Sequence, residues 1–125
     1  MDTRESSKLH FKHCTILHPH TGTLERNKCI TVNGNRIKSI TDDAPADAID
    51  ASGLTVMPGM IDCHVHVLAS DMNLGRNALT PNILISFRSI PILQGMVERG
   101  FTTVRDAGGA DYSLAQATET GLVTG

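Results

Sequence analysis

The residues best suited to chemistry are His64 and His66, two positions apart in the run Pro58-Gly59-Met60-Ile61-Asp62-Cys63-His64-Val65-His66-Val67. Side chains alternate along an extended strand, so both imidazoles and Asp62 share one face while Ile61, Cys63, Val65 and Val67 take the other. A strand buried in a parallel sheet is normally apolar on both faces, so three polar side chains on one face require a reason. The simplest is a metal ion, because imidazole is a neutral nitrogen donor suited to Zn²⁺, Fe, Ni or Cu. The spacing alone leaves a second reading open, a pair of core histidines satisfied by hydrogen bonds.

The chain repeats the same spacing at His18 and His20, where it carries a different meaning. Pro19 lies between them and Thr21-Gly22 follows, which places these rings on a turn in solvent. His10 and His13 read as surface positions of the first strand. Asp106 closes a β-branched run, where its carboxylate is placed to orient substrate or a metal-ligating group, or else to cap a turn or pair with Arg105. Gly108-Gly109 offers backbone amides to an anion but lacks the Gly-x-x-x-x-Gly-Lys pattern of a phosphate loop, so tight-turn geometry is the expected role.

The elements that must position these residues follow from patterning. Residues 1–7 read as a disordered lead-in. Residues 9–17 show partial alternation and 28–32 form a second strand; Asn33-Gly34 marks a hairpin, with 36–40 as its returning partner. Residues 41–47 are a loop around Pro45, and 49–57 hold short strands about Gly53. Pro58-Gly59 then divides residues 1–57, a small β unit, from residues 58–125. In the second part Thr80-Pro81 reads as an N-cap with proline at the first helical position, and Ile83, Phe87, Ile90 and Val97 recur at roughly helical spacing up to Gly100. Pro91 predicts a kink there or two consecutive helices. Residues 101–106 are a strand, and Asp111 caps a short helix that Gly121 ends. Strand, helix, strand, helix is the opening of a parallel βα architecture, in which ligand-binding loops lie at the carboxyl ends of the strands.

Bulk properties exclude other classes. Eleven basic and thirteen acidic residues leave no electrostatic footprint for nucleic acid or an anionic membrane, and 3% aromatic content gives no stacking platform for bases. No apolar run approaches the roughly 20 residues that span a bilayer. Cys14, Cys29 and Cys63 are odd in number and widely spaced, which argues against a disulfide framework and for a reducing, cytoplasmic setting.

Two further runs widen the pattern. Gly34 to Ile40 followed by Ile49 to His66 resembles the N-terminal region of metal-dependent amidohydrolases, and Gly100-Phe101-Thr102-Thr103-Val104-Arg105-Asp106-Ala107-Gly108-Gly109 is similar to the imidazolonepropionase-like and prolidase-like branch. The resemblance implies an α/β fold: part of a small β-sandwich, then the first two strand-helix units of a (β/α)₈ TIM-type barrel. It makes His64 and His66 ligands of the more buried of one or two divalent metals, most simply zinc, and leaves Asp106 as a substrate-binding candidate. It implies hydrolysis by metal-activated hydroxide of a carbon-nitrogen bond in a small amide, dipeptide-like or cyclic amide substrate. A complete barrel takes about 250 residues, and the remaining ligands and the general base of the family have no counterpart in these 125 residues. The expectation is therefore an N-terminal fragment, inactive alone, with an unpaired sheet edge that favours aggregation or partial disorder. The alternative is a non-catalytic remnant that folds as a homo-oligomer and acts as an interaction module.

Overall fold

The computed structural model describes residues 8–125, so the lead-in expected at residues 1–7 lies outside the described residues. The fold is mixed α/β and rich in strands, and it divides into two compact units between Pro58 and Gly59.

The first unit is built on two long strands, β1 (Lys8–His18) and β2 (Thr23–Asn33), paired antiparallel from Lys8 opposite Asn33 to His18 opposite Thr23. β2 begins five residues before the apolar run at Lys28, because the polar stretch from Thr23 pairs across the turn with the end of β1. β3 (Arg36–Thr41) returns antiparallel on β2, while β4 (Ile49–Asp50) and β5 (Thr55–Val56) run parallel to β1 on its other edge. The hairpin turn sits one residue later than the Asn-Gly signal suggests. Asn33 pairs with Arg36, leaving Gly34 and Asn35 as the central residues, with Gly34 at a φ of 59°. A bulge between Phe11 and Cys14 places His13 at a φ of 59° and turns Cys14 into the core. There Cys14, Ile16, Ile30 and Ala51 are buried, flanked by Phe11, Val32 and Val56.

The second unit opens with β6 (Met60–Val65), which pairs in parallel with β7 (Phe101–Asp106). Between them lie α1 (Leu74–Leu79) and α2 (Asn82–Glu98), so the pair is a βαβ crossover; α3 (Tyr112–Glu119) follows β7. Val65, Val67 and Leu93 form its core, with Ile92, Met96, Val104 and Leu114 packed against them. Gly59 stands where no side chain fits: a Cβ there would lie 1.9 Å from Thr102 Oγ1 and 2.6 Å from Thr102 Cβ.

Three expectations change in this unit. Of the two outcomes expected at Pro91, two consecutive helices are not formed: α2 is one continuous helix through it; Pro91 is exposed, and its missing N–H withholds a partner only from the carbonyl of the exposed Phe87. Thr80 does not cap α2. It is the C-cap of α1, its Oγ1 donating back to the Arg76 carbonyl at 2.9 Å, and Pro81 takes the N-cap position of α2 without a side-chain bond. The apolar face of β6 is covered only at its end: Val65 and Val67 are buried, whereas Ile61 is 66% exposed and Cys63 is exposed. Among the described residues this sheet has two strands, and the short core packs only against the end that carries the histidines.

Candidate metal-binding site

The structure brings His64 and His66 together. Their Nε2 atoms lie 3.2 Å apart and the rings meet edge to face, with centroids at 5.1 Å and an interplanar angle of 76°. His64 lies within β6 and His66 just beyond its end, so the same-face geometry of the strand delivers both imidazoles to one point. Both rings are open to solvent.

Hydrogen bonds assign the proton on each ring. His66 Nδ1 is 3.0 Å from the Gly108 carbonyl, which can only accept, so Nδ1 carries the hydrogen and donates it. On a neutral His66 ring, Nε2 is then the lone-pair nitrogen, and the 3.2 Å contact makes His64 Nε2–H the donor to it. This donor set fits a divalent metal. Two nitrogens each about 2.05 Å from a tetrahedral zinc lie about 3.3 Å apart, close to the separation found here, and an imidazole whose far nitrogen donates to a backbone carbonyl is the usual arrangement of a ligating histidine.

The ends of the two strands hold this pair in place. The β6–β7 register is irregular between Asp62 and Val65, and there the half-buried Asp62 turns its Oδ1 to accept the His64 N–H at 3.0 Å. Asp106, the last residue of β7, accepts the Val67 N–H on Oδ2 and the Gly108 N–H on Oδ1, each at 2.8 Å, with the Ala110 N–H at 3.5 Å. The Ala107 N–H donates to the Val65 carbonyl at 2.9 Å, which carries the parallel pairing one step past β7. The loop after His66 is fastened by Asn77 Nδ2–H to the Leu68 carbonyl and by Arg76, which grips Asp71 with two guanidinium nitrogens and holds its carboxyl below the usual carboxylate range. Beside His66 opens a cavity of about 650 Å³ lined by Leu68, Asn77, Ile85, Ser86, Gly109 and Leu114.

The other histidines are not drawn in. His18 ends β1 and contacts Glu25, while His20 lies exposed on the turn. His10 is half-buried against Thr31 Oγ1 at 2.9 Å. His13 meets Asp50 and Ser52, yet this is no nucleophilic triad. The Ser52 hydroxyl donates to Asp50 Oδ1 at 2.6 Å, and both it and the carboxylate approach the same His13 nitrogen, Nδ1, so no separate base nitrogen faces the hydroxyl. Among the described residues no group of three or more His, Cys, Asp or Glu side chains gathers around one point. The sequence did not point to the Gly108 carbonyl or the Val67 amide as parts of the site. The one available signal was Gly108 two residues after Asp106, the spacing at which an aspartate accepts from its own following backbone.

No protein-family model matches the chain. A prolidase solved in complex with N-methylphosphonate-L-proline is 54% identical with a TM-score of 0.85, and an amidohydrolase structure is 43% identical with a TM-score of 0.84; each alignment covers 95% of this chain and 30% of the solved one. An imidazolonepropionase from Picrophilus torridus is 49% identical over 45 residues, which are 35% of this chain and 11% of that protein. The chain thus spans less than a third of the length of each of these proteins. With these matches added to the ordered runs at Gly34 to His66 and Gly100 to Gly109, the chain belongs to the amidohydrolase superfamily and corresponds to the N-terminal part of its imidazolonepropionase-like and prolidase-like members.

Proposed function

We propose that His64 and His66 are two ligands of a divalent metal, zinc by donor type, in an enzyme that hydrolyses a carbon-nitrogen bond of a small amide or dipeptide-like substrate. The observation that carries this reading is the pair of Nε2 atoms 3.2 Å apart with the far nitrogen of His66 tied to the Gly108 carbonyl. The β6–α2–β7 crossover is the opening of a (β/α)₈ barrel, and His66 and Asp106 then stand at the carboxyl ends of its first two strands, where such barrels place their chemistry. Support comes from the prolidase and amidohydrolase likenesses over 95% of the chain.

A metal at this point would activate water and polarise the substrate carbonyl. The chain's own part is to present nitrogens. His66 Nε2 is ready with its lone pair, whereas His64 must give up its Nε2 proton, to Nδ1 or to solvent, before that nitrogen ligates. The cavity beside His66 supplies room for a small substrate. A catalytic zinc site uses three protein ligands and the described residues bring two to this point, so metal held by these two alone is expected to be weakly bound and not catalytic. The three free cysteines, two of them buried, support a reducing, cytoplasmic setting in this reading; among the described residues no helix is long and apolar enough to cross a membrane.

The test is zinc titration calorimetry of the chain and of His64→Ala and His66→Ala. Each substitution is expected to abolish the one-to-one zinc signal; retention of that signal in both variants would end the assignment. A second reading, a non-catalytic homo-oligomer, is favoured by the exposure of Ile61 at 66%, Ile83 at 74% and Phe87 at 65%. Light scattering separates the two, since a discrete oligomer without zinc binding supports the second alone.

A further inference from the structure

Asp106 is bound to both halves of the histidine site without touching either ring. One carboxylate oxygen, Oδ2, holds the N–H of Val67, the residue after His66; the other, Oδ1, holds the N–H of Gly108, whose carbonyl receives the His66 Nδ1 proton. The four groups close a ring: Asp106, the Val67 amide, the His66 imidazole, the Gly108 peptide and Asp106 again. Asn77 and Arg76 fasten the first loop further along and the Ala107 N–H holds the start of the second, but the Asp106 carboxylate bridges the two next to the ring, and a shift of either there would break the 3.0 Å bond that fixes the proton on Nδ1. A neutral amide or hydroxyl at position 106 cannot replace this clamp, because two oxygens must accept at once from opposite sides. Arg105 is exposed and Asp106 half-buried, and no ion pair joins them among the described contacts; the carboxylate is spent on backbone amides.

We infer that Asp106 is a positioning residue that sets the tautomer of His66, clamping the loops after β6 and β7 so that Nδ1 keeps the proton and Nε2 keeps the lone pair. This rests on the ligand reading of His66 for its consequence, but not for its geometry. Gly108 contributes through its backbone alone: a Cβ there would meet His66 Cε1 at an ordinary 3.7 Å, so the site needs its carbonyl more than its lack of a side chain.

The test reads the ring directly, by long-range ¹H–¹⁵N correlation of the histidine rings of the full chain at pH 8, where an ordinary imidazole is neutral. His66 is expected as the Nδ1–H tautomer in the unaltered chain and as mainly Nε2–H in Asp106→Ala. Asp106→Asn retains one accepting oxygen and keeps a folded variant in hand; it should show a mixture. Asp111→Ala removes the cap of α3, where Asp111 accepts the Ser113 N–H at 2.8 Å; it should lower the melting temperature while leaving the His66 tautomer unchanged. Zinc affinity should fall about 10–100-fold in Asp106→Ala, the usual cost of losing a residue that orients a ligand, and stay unchanged in Asp111→Ala. An Nδ1–H tautomer that persists in both Asp106 variants, or a change that Asp111→Ala reproduces, would overturn the inference. If the tautomer switches as described but the unaltered chain takes up no zinc, the positioning role stands and the ligand reading alone fails.

Discussion

Imidazole pairs two residues apart are legible in any sequence, but what separates His64 and His66 from His18 and His20 is the state of one nitrogen. The Gly108 carbonyl fixes the proton of His66 on Nδ1, and the alternation of β6 brings the His64 Nε2 to 3.2 Å from the nitrogen left bare. Spacing and strand context pointed to the pair; the carbonyl did not show, because a backbone acceptor leaves no letter in the sequence. Asp106 was visible only as an acid at a strand end, and its two-sided grip on Val67 and Gly108 depends on the parallel register that sets Val65 beside it. A second acid gives a prediction that is independent of the metal. Asp50 accepts from the Ser52 hydroxyl, from His13 and from the Ser52 N–H, which lower its pKa from 3.8 to about 2. A carboxylate depressed on folding stabilises the native state above its unfolded value and loses that contribution as pH falls through the folded one. The Asp50 carboxyl carbon should therefore titrate near 2 by NMR, and Ser52→Ala should move its midpoint upward; a midpoint near 3.8 in the unaltered chain would show that the cluster does not form.

Elements were readable in proportion to how much they bury. The alternation of β1, the hairpin into β3, the β-branched β7 and the cap at Asp111 all announced themselves, since each fulfils a local rule of period or capping. α1 did not: it buries no residue, leaves Leu79 88% exposed and has no apolar period to detect. Its presence also explains the displaced role of Thr80, whose hydroxyl belongs to the helix before it and not the one after. Pro58-Gly59 was read as punctuation, and the structure gives Gly59 a second duty, the close approach of its backbone to Thr102 on β7. Gly59→Ala should cost about 1–3 kcal/mol through overpacking in chemical denaturation, and Thr102→Gly in the same chain should recover most of it. An unchanged denaturation midpoint for Gly59→Ala would show that the approach is looser than described.

At the scale of the molecule, two units with separate cores divide at Pro58 and Gly59, and the match to larger solved hydrolases extends over both. The β2–β3 hairpin and the parallel β6–β7 pair could be anticipated from turn chemistry and the alternation of strand and helix patterns, whereas the parallel seating of β4 and β5 on β1 could not. The exposure of Ile61 and Cys63 could not, because a strand's pattern states which face seeks cover and is silent on whether cover is supplied. The central claim is that this end of the sheet is a metal site, and the most direct measurement is to add zinc to the ¹⁵N-labelled chain and follow all six histidine rings. The account predicts that the Nε2 resonances of His64 and His66 shift together and saturate at one zinc per chain, while those of His10, His13, His18 and His20 stay in place. Shifts at His18 and His20 with His64 and His66 unmoved would contradict it.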